Sequence, residues 1–117
     1  MAEINFSGIN ENCITLKKKA NATINIGDFV SITDNGEVGA ISAKGDIVGK
    51  CVNIRNGFVT VQISGYMTAV AASSETVTRG YGAFGIDTNG KLAAVTGARK
   101  ILVVKYDSAT GEVGFIL

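Results

Sequence analysis

Three Asn-Gly dipeptides, Asn35-Gly36, Asn56-Gly57 and Asn89-Gly90, set the tightest limit on what this chain can fold into. Each lies between runs of alternating apolar and polar residues. A two-residue hairpin turn requires φ > 0 at both central positions, and Asn followed by Gly accepts that at the lowest steric cost. Thr110-Gly111 is a weaker fourth signal. Short β-branched runs separated by turn residues about every ten positions point to a barrel or sandwich, not to βαβ units. The clearest run is Val59-Thr60-Val61-Gln62-Ile63-Ser64. Its alternation puts Val59, Val61 and Ile63 on one face and Thr60, Gln62 and Ser64 on the other. Glycine is abundant at 15 residues, proline is absent, and no long segment carries a helical period. Helix should be scarce.

The turns also expose an internal repeat. Residues 27–63 align without gaps on 81–117. Asn35-Gly36 falls on Asn89-Gly90, Ile32 on Ile86, Ala40 on Ala94, Ile47 on Ile101, Gly57 on Gly111 and Val59 on Val113. Apolar positions follow: Val30 with Phe84, Val38 with Leu92, Ile41 with Val95, Val48 with Leu102, Val61 with Phe115 and Ile63 with Leu117. The expectation is an all-β fold, a small barrel or sandwich built from two similar four-stranded units. A sheet with one apolar face must bury it, so the two units should pack together or close. Residues 26–117 then form a single β domain. Residues 1–25 stand outside the repeat as an N-terminal arm or edge strand. Tyr66–Val70 reads as a strand in the link between copies, and Ala71–Glu75 as a surface loop with room for one helical turn.

A chain of 117 residues can bury a core without metals or disulfides, and 46% of its residues are hydrophobic. With 18% charged residues and a mean hydropathy of +0.28, it is apolar for a small monomer. That surplus points to subunit contact. The net charge of +1 lacks the basic excess of nucleic-acid binders, so no nucleic-acid partner is expected. Lys17-Lys18-Lys19 is the one basic cluster. It reads as a solvated strand end or as a docking point for an acidic partner surface. Met1–Asn5 shows neither a basic start nor an apolar run, which predicts no signal peptide. Ile101–Val104 is too short to cross a bilayer, so no membrane association is expected.

Motifs for chemistry are sparse. There is no histidine, which removes the commonest general base and metal ligand and rules out Ser-His-Asp and Cys-His arrangements. Cys13 and Cys51 have no ligand-spaced partners, so a zinc site is not expected and both should stay reduced, Cys51 as a small core residue. Asp28, Asp34, Asp46 and Asp87 lie at turns, where Asp commonly accepts bonds from nearby backbone. Gly80-Tyr81-Gly82-Ala83-Phe84-Gly85 matches GxGxxG formally, but a dinucleotide site needs a helix to begin there. Phe84 and Ile86 continue a strand pattern instead. A lipoyl- or biotinyl-type carrier would need a lysine at a hairpin tip, and Lys91 merely follows one. There is no Trp, and Phe29, Phe58, Tyr66, Tyr81, Phe84, Tyr106 and Phe115 fall mostly in strand runs, so core packing explains most of them. Asn21-Ala22-Thr23 matches a glycosylation sequon, which has meaning only on a secretory route. No catalytic, cofactor or metal residue is expected, and the chain should not be an enzyme.

One layout is familiar. Ile26-Gly27-Asp28-Phe29-Val30-Ser31-Ile32, then Gly45-Asp46-Ile47-Val48-Gly49, is followed by the Val-rich strand Gly57–Gly65. Next come Gly82-Ala83-Phe84-Gly85-Ile86-Asp87-Thr88-Asn89-Gly90-Lys91-Leu92 and the closing Gly111–Leu117. Together these resemble the capsid decoration (head-stabilising) proteins of tailed bacteriophages over residues 26–117. The second copy lacks the Gly-Asp opening, and the first 25 residues have no counterpart. The resemblance implies a β-rich homotrimer on the exterior of the virion head, assembled in the host cytoplasm, with the major capsid protein as partner. Its function would be clamping of the capsid lattice, with no cofactor. Lys17, Lys18 and Lys19, in the segment outside the repeat, are the expected capsid contacts. The alternative is a tail or baseplate β-domain that binds a host-surface glycan or protein.

Overall fold

The computed structural model describes residues 12–73 and 75–117. It is all-β, with no helix among the described residues. The strands are β1 (Asn12–Lys18), β2 (Phe29–Asp34), β3 (Glu37–Ala40), β4 (Gly45–Asp46), β5 (Gly49–Arg55) and β6 (Phe58–Ser64). After these come β7 (Tyr66–Val70), β8 (Gly80–Ile86), β9 (Leu92–Ala94), β10 (Lys100–Tyr106) and β11 (Glu112–Ile116). β1, β3, β2, β5 and β6 close into a barrel. β4, β8, β10, β11 and β7 form a second sheet, with β9 paired to β8.

The second sheet repeats the barrel's circuit. In the first hairpin Val30, Ser31 and Ile32 face Ala40, Gly39 and Val38. Fifty-four positions later Phe84, Gly85 and Ile86 face Ala94, Ala93 and Leu92. Each four-stranded unit is completed by a fifth strand that precedes it. β1 runs antiparallel to β6 and parallel to β3. β7 runs antiparallel to β11, and the bridge from Ala71 to Leu92 is parallel. Backbone bonds match as well. Lys18 N donates to Gly57 O (2.9 Å) as Ala71 N does to Gly111 O (2.8 Å), and Lys19 N donates to Val38 O (2.8 Å) as Ala72 N does to Leu92 O (2.8 Å). Tyr66–Val70 is therefore the opening strand of the second unit, not a link. The described part of segment 1–25 supplies β1, which has a neighbour on both sides. Residues 1–11 of that segment lie outside the described residues.

The gap-free alignment holds for the hairpin β2–β3 and for the last strand, and slips between them. Cys51 faces Val61, and Val103 faces Phe115, so β5 and β10 correspond 52 positions apart. Each carries a bulge just after that pair. The cause is loop length. Asn56-Gly57 is a two-residue turn with φ of 51° and 79°, whereas the turn from β10 to β11 spans Asp107–Gly111. Of the three Asn-Gly pairs, only Asn56-Gly57 has φ > 0 at both residues. At the other two only Gly36 and Gly90 do. A bulge beside Asp34 and a longer Asp87–Lys91 loop let Asn stay right-handed.

Two apolar clusters fill the fold. Ile24, Val30, Val38, Cys51, Val59 and Val61 pack inside the first barrel. The larger cluster contains Met67, Val77, Phe84, Ile86, Leu92, Ile101, Val103, Val113 and Phe115 of the second unit, with Phe29 and Ile47 of the first. The units therefore share a core. They also share a sheet, because β4 in the first unit pairs with β8 in the second: Gly45 with Ile86 and Asp46 with Gly85. Gly85 permits this close approach, since a Cβ there would run into the Gly45 carbonyl. At the hinge, Gly65 N donates to Leu117 O (3.2 Å) and Leu117 N donates to Gly65 O (3.0 Å). Gln62, outward by alternation, is buried at 7% exposure. Its Nε2 donates to the carbonyls of Ser64 and Tyr66 (3.0 and 3.1 Å), which satisfies the amide where the second unit covers it.

Candidate contact surfaces

The chain direction splits the lysine cluster. Lys17 and Lys18 end β1 and Lys19 follows it. Lys17 lies opposite Phe58 on β6, and in antiparallel strands directly opposed residues share a face. Leu16 lies opposite Val59 on the barrel interior, so Lys17 and Phe58 point outward. Lys18, next along β1, takes the other face and is half-buried. The three lysines therefore do not make one patch.

Instead, the barrel brings together residues distant in sequence. Phe58 is flanked by Lys17 on β1 and by Arg55 on β5. This cation–aromatic–cation row crosses three strands on the outer wall, with Phe58 52% exposed. Core packing is the expectation for most of the strand aromatics, and Phe58 and Tyr81 (76% exposed) are the exceptions. Alternation could have corrected both, because Val59 faces inward and its neighbour Phe58 must then face out. Phe29, Phe84 and Phe115 are core residues.

A cleft of about 420 Å³ opens between the two units, with Ile24, Phe29, Lys50, Ala69, Val70 and Glu112 in its walls. Lys50, on β5, crosses it. Its Nζ donates to the Thr68 carbonyl at 2.8 Å and lies 5.4 Å from the centre of the Phe29 ring. Burial holds this amine below the ordinary lysine range, and the Glu112 carboxylate partly offsets that. Glu112 is itself bonded to Lys105 at 3.1 Å. Lys50 thus works as a strut between units, joining a backbone carbonyl and an aromatic face.

The four turn aspartates all accept backbone N–H groups. Asp28 is bonded by Asn25 N, Asp34 by Asn35 N, and Asp87 by both Asn89 N and Lys91 N. Asp46 takes the N–H of Arg99, tying the connection in the first unit to the matching connection in the second. Gly80–Ile86 is strand throughout, so the formal GxGxxG offers no helix N-terminus. Cys13 is exposed and Cys51 buried, both free. Burial pushes the Cys51 thiol up, away from the reactive thiolate. Among the described residues no three His, Cys, Asp or Glu side chains cluster at metal-binding distance. No helix there is long and apolar enough to cross a membrane. Comparison with protein-family models, with curated proteins and with solved structures finds no match.

Proposed function

We propose that this protein is a non-catalytic capsid decoration subunit that acts as a homotrimer. It would bind the major capsid protein on the outside of a tailed-phage head and clamp neighbouring lattice subunits. The observation that carries this reading is the layout over residues 26–117, from Gly27-Asp28 through Gly82–Leu92 to the closing strand, which resembles that family. Two features of the molecule support it. The units are locked through a common core and a common sheet, the stiffness that a clamp bridging two partners needs. The exposed row Lys17–Phe58–Arg55 has the composition of a contact surface, since aromatic residues and Arg are enriched where proteins meet.

Incubating the purified chain with empty expanded heads tests the proposal. Saturable binding at a fixed ratio to the capsid subunit, with heads made more resistant to heat, is the expected result. Absence of head binding, combined with affinity for a host-surface glycan, would replace it with the tail or baseplate reading.

A further inference from the structure

We propose that copies of this chain associate head to tail, with the Lys17–Phe58–Arg55 row of one copy docked on the Val70–Glu112–Asp107 row of the next. The argument starts from the duplication. Lys17 and Phe58 face each other at the end of the first unit, as Val70 and Glu112 do in the second. Arg55 lies across from Phe58, as Asp107 does from Glu112, to whose carbonyl its N–H donates at 2.9 Å. Equivalent places on the two units therefore carry opposite chemistry: two cations around an aromatic, and two carboxylates beside an apolar residue.

Opposing neighbours reduce the charge of both rows: Glu37 lies beside Lys17, and Glu112 is bonded to Lys105 and faces Lys50 in the cleft, so the opposition rests chiefly on Arg55 and Asp107. Phe58 is 52% exposed and Val70 41%, so both rows present apolar surface as well as charge. Val70 and Glu112 also border the cleft between units, so a Phe58 ring docked on this row would lie at the mouth of the cleft, against Val70. One chain holds one row of each kind. Matching them joins different patches of successive copies, a heterologous contact that closes into a ring where the rotation allows. Complementary charge sets the register, and the buried aromatic with its flanking Arg supplies most of the affinity. This deepens the trimeric part of the reading above. Its test uses no capsid, so its failure and a failure of head binding are separate results.

Sedimentation velocity of the full chain over a wide concentration range provides the test, with circular dichroism to check folding of each variant. The wild type should exceed its monomer mass of 12.1 kDa as concentration rises, and less so at high salt. Lys17→Glu with Arg55→Glu makes both rows acidic and should weaken association roughly a hundredfold. Adding Glu112→Lys and Asp107→Asn, the Asn retained to keep the turn bond to Ala109 N, restores opposite signs and should recover association. A wild type that stays monomeric overturns the proposal. So does association indifferent to the first pair of changes, or a folded four-site variant that remains monomeric.

Discussion

Phe29→Ala tests whether the two units are one cooperative body. Phe29 belongs to β2 in the first unit, yet its ring lies in the core of the second at 8% exposure. Removing a buried Phe side chain costs about 3–5 kcal/mol through lost transfer energy and the cavity left behind. The site borders the cleft, where neighbours can relax, so about 3 kcal/mol is expected. Loss of the Lys50 contact over the ring adds roughly 0.5–1 kcal/mol. For a chain of this size, with a urea m-value near 1.3 kcal/mol/M, the midpoint should fall by about 2–3 M. The tyrosines provide a selective assay. All three, Tyr66, Tyr81 and Tyr106, are in the second unit, and there is no tryptophan. Tyrosine fluorescence therefore reports on the second unit alone, and far-ultraviolet circular dichroism on both. The two transitions should coincide in the wild type and move together in Phe29→Ala. A tyrosine transition that stays at the wild-type midpoint would refute the shared core.

Two further perturbations probe the junction. The Lys50 amine titrates below its ordinary 10.5 in the folded state because it is buried, with Glu112 opposing. Between that lowered value and 10.5 the unfolded chain binds more protons than the folded one, so stability rises with pH across this window. Urea titrations from neutral pH upward should show the wild type gaining on Lys50→Met, and a constant or shrinking difference would reject the desolvated strut. Gln62→Leu keeps the bulk but strips the donor from the carbonyls of Ser64 and Tyr66. An unpaired buried polar group costs about 1–3 kcal/mol. Amide hydrogen exchange should show faster opening around Gly65 and Leu117, whereas unchanged protection there would remove Gln62 from the hinge.

Local rules were enough for most of the strands and for the positions of the turns. The Val59–Ser64 alternation, the glycine-closed turns and the roles of Asp28, Asp34 and Asp87 each depend on a few neighbouring residues and are legible one segment at a time. Asp46, by contrast, takes its partner Arg99 from the other unit. The first hairpin of both copies was legible too, because its length never changes and the apolar pairs recur 54 positions apart. Beyond that hairpin the sequence signal fades for physical reasons. A bulge adds a residue to a strand without altering which strands pair, and a longer turn shifts numbering without altering topology. β1 and β7 are equivalent in space, yet Leu16-Lys17 and Ala69-Val70 share only an apolar inward residue, and that position tolerates Leu or Ala while the outward one is unconstrained. β4 is two residues long, too short to show any period.

By itself, then, the sequence determined the all-β class, the hairpin positions and much of the duplication, because these follow from backbone conformation and side-chain alternation. Tertiary structure alone decided that each unit has a fifth strand, that Phe29 and Ile47 serve the neighbouring core, and that Gln62 is buried. It also decided that Lys17 belongs with Phe58 and Arg55 and not with Lys18. Such groupings depend on which strands lie side by side, and strand neighbours are chosen by the closure of the whole sheet, not by any segment within it.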